Sequence, residues 1–324
     1  MKNKSKSSAA VLVALLTVYI VWGSTYLAIR VGLDGWTPFM MGATRFIIAG
    51  FILMLLGWRR HESFPKAWPE LRTAFFAGFL MLTLGNGGVV WAEQYVTSGM
   101  TAVIIATVSL WMMGLESLRP GGEPMSWAKF FGALIGLLGV AILMAGELFN
   151  DHNRNVFIGQ LFLLAASLAW AAGSIYSKHA PMPKSTIMGS AVQMLAGGFA
   201  LLIFAGFSGE YTKFDSNDAF SGRSLWAVIY LTIFGSCIAF TAYTWLLRHS
   251  SPALASTYAY VNPVVAVFLG AMILDEPVTV KLIVGSVLVL LSVFVIQRAR
   301  MQLAARKKHS ALSSEPLVEA DNEG

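Results

Sequence analysis

Apolar residues in this chain come in blocks rather than stripes. Ten runs cover residues 9–29, 38–57, 73–96, 98–118, 128–146, 157–178, 186–208, 225–247, 253–274 and 278–297, separated by short polar stretches. They lack the one-sided apolar face by which a soluble helix meets its core. A helix rises 1.5 Å per residue, so runs near 20 residues match a hydrocarbon layer about 30 Å thick. The pattern predicts an all-α polytopic membrane protein with ten transmembrane helices. The first run follows Lys2, Lys4 and Lys6, as the core of a signal peptide would. It is long for that role and no small-x-small cleavage site follows, so it is read as a retained helix.

Composition agrees. Of 324 residues, 56% are hydrophobic and 12% charged, with a mean hydropathy of +0.65. That charged fraction is about half the soluble norm. A pI near 9.4 would suggest nucleic acid in a soluble protein, but the positions of the cations explain it differently. With ten spans and the N-terminus inside, 17 Lys and Arg fall inside and 5 outside, with Arg45 left within a span. The positive-inside rule therefore predicts cytoplasmic termini, and the basic tail reads as an orientation signal facing membrane lipid, not nucleic acid. Residues from about 303 onward, ending SSEPLVEADNEG, read as disordered. Cys237 is the single cysteine, and His61, His152, His179, His249 and His309 fall in loops, at helix ends or in the tail. No metal site and no cofactor are expected.

The chain repeats itself. GSTY at 23–26 returns as GSIY at 173–176, an offset of 150. MGATRFIIAG at 41–50 aligns with MGSAVQMLAG at 188–197, an offset of 147, which sets Val192 opposite Arg45. EPMSWAKFFG at 123–132 aligns with EPVTVKLIVG at 276–285, an offset of 153. The expected organisation is an N-terminus at 1–8, a first repeat at 9–146 (helices 1–5), a second at 157–297 (helices 6–10) and a tail at 298–324. Five spans per repeat force the second through the membrane in the opposite sense, which gives an inverted repeat. That architecture lets each half take the other's conformation, as alternating access requires.

Polar groups inside the spans mark candidate pathway residues. Trp22, Ser24 and Tyr26 fall in the outer half of helix 1, and Trp170, Ser174 and Tyr176 in the inner half of helix 6. Both Trp lie too deep for an interfacial belt and read as cavity walls. For the serines, tight packing and pathway lining both stand. Arg45 lies about 10 Å into helix 2, where a charge costs on the order of 2.5–3.5 kcal/mol unless something compensates it. Glu93, near the outer end of helix 3, is the candidate partner, either in a structural ion pair or at a site for an anionic or zwitterionic group. Asn86 and Trp91 lie around them, and Gln193 and Tyr243 are the polar groups towards the inside. In helix 9, Pro263 removes a backbone donor and predicts a kink near mid-membrane, with Tyr258, Tyr260 and Asn262 around it. Glu116 is expected to pair with Arg119. GALIG at 132–136 places Gly132 and Gly136 on a close-packing face, either between the two halves or between two copies in a homodimer.

VWGSTYLAIRVG, GATRFIIAG, GNGGVVWAEQ, TSGMTAVIIATVSLW, SPALASTYAYVNPVVAVFLG and DEPVT resemble the EamA-type permeases of the drug/metabolite transporter superfamily over about 290 residues. The resemblance implies ten helices in two inverted five-helix repeats and export of small metabolites or amino-acid-like solutes. It also implies a proline in the fourth helix, where this chain has Ser109, so a kink is expected in the second repeat only. The related four-helix exporters couple protons through an acid in helix 1. Neither helix 1 nor helix 6 carries one here, which leaves Glu93 as the acidic candidate. The expected function is a secondary active transporter for a small-molecule substrate. The alternative is a membrane receptor or scaffold without transport. No Walker A motif, GxSxG or intramembrane aspartate pair is present, so neither an ATPase nor an enzyme is expected.

Overall fold

The computed structural model describes residues 2–145 and 154–313. The expected loop position of His152 and the tail beyond Ser313 lie outside the described residues. Those described form helices and connecting turns, with no strand among them. Among the described residues, nine helices are long and apolar enough to cross a membrane. They are α1 (Ala9–Gly32), α2 (Pro38–Arg59), α3 (Trp68–Ala92), α4 (Ser98–Leu118), α5 (Trp127–Met144), α6 (Arg154–His179), α7 (Thr186–Phe207), α8 (Gly222–His249) and, last in the chain, α10 (Val280–Ala299). The remaining predicted span is divided. A turn of helix at Pro252–Ala255 precedes the shorter apolar helix α9 (Tyr258–Leu274). The helix that begins as α10 continues to Ser313, so residues 303–313 are helical where disorder was expected.

Large apolar side chains point outward and small residues inward, the reverse of a soluble core. In α2, Phe51, Ile52 and Leu55 are exposed, while Gly42, Ala43, Ala49, Gly50 and Gly57 are buried. Lipid offers no hydrophobic drive between helices, so contact depends on close backbone approach through small residues. Gly50 of α2 faces Leu195 of α7, and Gly198 of α7 faces Ile47 of α2. The contacts are reciprocal at an offset of 148, as a two-fold axis demands. That corrects the alignment by one residue: the counterpart of Arg45 is Gln193, not Val192. Gly132 faces Val295 and Ile296, and Gly136 faces Ser292, so the glycine face of α5 packs on α10 of the same chain.

Three irregularities recur in both repeats. First, α3 and α8 each widen into a π-helical segment, Phe79–Asn86 and Leu231–Phe240. Second, α4 is interrupted at Ala106–Thr107, and the α9 region at Ser256–Thr257. Thr107 Oγ1 bonds the Ile104 carbonyl (2.6 Å) and Ser167 Oγ of α6 (3.0 Å). Thr257 Oγ1 does the same with the Leu254 carbonyl (2.6 Å) and Tyr19 OH of α1 (2.5 Å). α9 runs through Pro263 as continuous helix, and a separate interruption lies upstream of it. Both repeats carry such an interruption, and at each a threonine hydroxyl meets the backbone.

Third, charged side chains of one element close helix ends of another. At the end predicted to be outer, Glu276 accepts from Ser98 N–H (2.9 Å), Ser98 Oγ (2.9 Å) and Gly99 N–H (3.2 Å). There, too, Glu210 accepts from Phe39 and Met40 N–H (2.9 and 3.1 Å), and Arg30 Nη1 donates to the Glu93 and Gln94 carbonyls (2.5 and 3.3 Å). At the other end, Lys178 Nζ donates to the Leu247 and Ser250 carbonyls (2.5 and 3.0 Å), and Ser185 Oγ donates to Glu62. Anions sit at helix N-termini and cations at C-termini, as backbone dipoles favour. The expected Glu116–Arg119 pair is present at 2.8 Å, and His179 of α6 joins it at 3.1 Å.

Candidate substrate cavity

Where the irregular segments converge, the bundle holds a constricted cavity of about 60 Å³. Its walls come from both repeats: Trp22, Tyr26 and Ile29 of α1, Arg45 and Phe46 of α2, Gly85, Asn86 and Val89 of α3, Trp170 of α6, Phe240 of α8 and Tyr258 of α9. The π segments explain part of its shape. An extra residue per turn swells the helix, and the glycine in each segment admits a neighbour that a side chain would block. A Cβ at Gly85 would lie 3.2 Å from Trp170 Cε3, and one at Gly235 would lie 3.2 Å from Thr25 Cγ2. The Gly235 carbonyl also accepts from Trp22 Nε1 at 3.2 Å.

The floor is aromatic. Trp22 and Trp170, placed by sequence in opposite halves of the membrane, meet edge to face with centroids 5.3 Å apart. Tyr243 lies 5.0 Å from Trp22 and 5.8 Å from Trp170, and Tyr258 lies 5.3 Å from Trp22 and 5.7 Å from Tyr243. Such contacts stabilise by about 0.5–1.5 kcal/mol each beyond burial. Ser174 Oγ and Tyr243 OH bond at 2.8 Å, tying α6 to α8 beneath the rings. The residues nearest the predicted outer end, Ile29, Arg45 and Val89, stand on the other side of this floor.

Among the described residues, Arg45 is the single charged one lining the cavity, 4% exposed. Its Nε and Nη1 make no hydrogen bond, and neither does Asn86 Oδ1. Glu93, wholly buried, also has both oxygens unbonded. The expected Arg45–Glu93 ion pair is therefore absent here, although the two lie within electrostatic range.

The cavity thus gathers six of the sixteen expected residues: Trp22, Tyr26, Arg45, Asn86, Trp170 and Tyr258. Ser174 and Tyr243 lie directly beneath it. The others are held elsewhere. Ser24 bonds Tyr230 OH at 2.6 Å on the far side of α1. Trp91 packs on Phe162, 4.4 Å between centroids. Tyr176 sits in a surface groove with Leu115 and His179. Gln193 donates to its own helix at Gly189 (3.2 Å). Tyr260 OH reaches the Val293 carbonyl of α10 at 2.5 Å. The Asn262 amide, oriented to satisfy its neighbours, donates to the Tyr19 and Tyr258 carbonyls (3.1 and 3.2 Å), and Pro263 is buried behind it. Sequence reading missed Thr25, Phe46, Gly85, Gly235 and Phe240; all but Thr25 carry no polar signal, and the Thr25 hydroxyl is spent on the Trp22 carbonyl at 2.7 Å. One clue existed: Gly85-Asn86 and Gly235-Ser236 recur at the repeat offset of 150.

Known proteins place this architecture. The model of the EamA-like transporter family matches twice, over residues 9–145 and 157–298. The inner membrane transporter YedA of Escherichia coli is 42% identical over 258 residues, 79% of this chain and 80% of that protein. The transporter YoaV of Bacillus subtilis is 24% identical over 290 residues, covering 88% and 95%. A solved crystal structure superposes with a TM-score of 0.63 at 20% identity, covering 90% of this chain and 97% of the other, which shows a shared fold. With two family matches arranged around one cavity, this multi-pass chain belongs to the EamA-like transporter family.

Proposed function

We propose that this transporter is a secondary active exporter of a small metabolite or amino-acid-like solute. It works across the inner membrane by alternating access, with both termini in the cytoplasm. One observation carries the reading: the cavity has its charge on one side of a four-ring floor built from both repeats. A site shared by inverted halves is where rocking one half against the other exchanges access. In this reading Trp22, Trp170, Tyr243 and Tyr258 form the closed inner gate, and the Arg45 side is the outward vestibule. Ion-pair and capping contacts at both bundle ends are the contacts that exchange as the state changes. No helix must unfold, since the π segments and the α4 and α9 interruptions already supply hinges.

Counterflow from proteoliposomes loaded with a mixed amino-acid and metabolite pool, read by mass spectrometry, tests the proposal. Saturable, exchange-stimulated efflux of one solute class is expected. No flux across the pool, from protein that remains monodisperse, would overturn it in favour of a receptor or scaffold.

A further inference from the structure

The cavity's charge is one-sided, and that selects a ligand. Arg45 supplies unbonded N–H groups to a space lined otherwise by rings, aliphatic groups and uncharged polar groups. A guanidinium's planar fork matches the two oxygens of a carboxylate. No carboxylate lines the cavity to hold an ammonium.

Behind Arg45 lies Glu93, wholly buried and without a donor on either oxygen. The charged and titratable groups around it are Arg45, Arg30, Glu276 and Tyr26. Arg30 is already bonded to the Glu93 and Gln94 carbonyls, and Glu276 to Ser98 and Gly99. A carboxyl so enclosed persists either protonated or paired with a cation. Of the two nearby cations Arg45, resting over the Phe46 ring at 4.4 Å, is the one whose Nε and Nη1 make no hydrogen bond. Glu93 and an entering anion therefore compete for one guanidinium.

We infer that the cavity binds an organic monocarboxylate through Arg45 while Glu93 takes a proton from water, so that anion and proton leave the cell together, driven by the anion's outward gradient. This rests on the cavity being the transport site, as proposed above. The linkage has a definite sign. An anion on Arg45 removes the counter-charge of ionised Glu93 and favours its protonation, and protonated Glu93 in turn leaves Arg45 to the anion. Affinity for the anion should rise as pH falls, by up to about tenfold per unit where Glu93 titrates. The cargo then moves without net charge, and exchange of anion for proton through this pair would have the opposite sign.

Isothermal titration calorimetry on the purified full chain tests this, with acetate, hexanoate and 3-phenylpropionate as probes and 3-phenylpropanamide and phenylalanine as comparators. Repeating the titration in buffers of different ionisation enthalpy counts the protons taken up. A monocarboxylate should bind at least about tenfold more tightly than the amide and phenylalanine, with close to one proton per anion at alkaline pH. E93Q should remove the proton uptake and the pH slope. R45M should abolish binding and R45K weaken it, each checked for a monodisperse elution profile; R45K keeps the test sound should R45M fail to fold. Binding by none of the three carboxylates would overturn the inference. So would equal binding of amide or zwitterion, or proton uptake that survives E93Q. Counterflow of a neutral or zwitterionic solute without anion binding would sink this inference and leave the transporter. Anion binding with proton uptake but no flux would keep the Arg45–Glu93 linkage and overturn both the crossing and the transporter reading.

Discussion

Seven residues into α2 stands Arg45, and seven residues into α7 stands Gln193. The backbone around the two is the same, down to reciprocal glycine contacts at one offset. Their surroundings are not. Arg45 opens on the cavity, while Gln193 is folded back on Gly189 with its Oε1 unbonded. The contrast extends outward. Asn86 and Glu93 of α3 carry polar and acidic groups into the first repeat's wall, whereas the π segment of α8 presents Gly235 and Phe240. The lesson is that two-fold symmetry here belongs to the scaffold and the chemistry is one-sided. A hinge needs matching backbone on both halves, but a single ligand in a shared cavity needs its counter-charge only once.

The comparison breaks most sharply at its two ends. Arg45→Met is expected to cut transport by about thirtyfold or more, the loss of a charged hydrogen-bonding contact worth about 2–3 kcal/mol. Gln193→Leu should change it less than about threefold, since its amide serves only its own helix. Uptake at matched surface expression checks both, and equal losses would undo the assignment of a one-sided site. A smaller asymmetry is expected at the caps. Glu210→Ala strands two backbone N–H groups and should destabilise by about 1–3 kcal/mol, against about 0.5–1.5 kcal/mol for Glu62→Ala, which loses one hydroxyl contact. Thermal unfolding in one detergent, compared by Tm, measures the difference.

The π-segment glycines sharpen the comparison further. A methyl at Gly85 meets a rigid indole, whereas one at Gly235 meets a threonine methyl, both at 3.2 Å. Gly85→Ala should therefore cost about 1–2 kcal/mol and shift tryptophan emission, with Gly235→Ala near half of that. The smallest effect is expected at the helix breaks. Thr107→Val and Thr257→Val each remove a cross-repeat hydroxyl pair and should cost about 1 kcal/mol apiece. Here the two repeats should agree, and a twofold disparity in unfolding free energy would show that the breaks are not equivalent.

Much of this was legible from residues alone where the signal is compositional. Ten apolar blocks and three ordered repeat matches read as a polytopic helical design with two inverted repeats. Trp22, Arg45 and Trp170 stood out because an indole or a charge has no ordinary place at that depth. Other residues were misjudged because a polar side chain in a span has two outlets, a cavity or a neighbouring backbone. Ser24, Tyr260 and Asn262 took the second, bonding Tyr230, Val293 and Tyr19. Proline marks a missing donor at Pro263, but nothing in the sequence marked the second break, where the Thr257 hydroxyl finds partners.

The sequence by itself determined that this chain lives in a bilayer, crosses it as helices and carries one fold twice in opposite senses, because lipid leaves backbone amides no other partner. Only the tertiary structure decided which polar groups face a common space, that the two indoles meet at one floor, and that Arg45 and Glu93 stand close yet unpaired. Those outcomes depend on contacts between residues far apart in the chain, such as Trp22 and Trp170, set by how glycines seat opposing helices, and no local pattern encodes them.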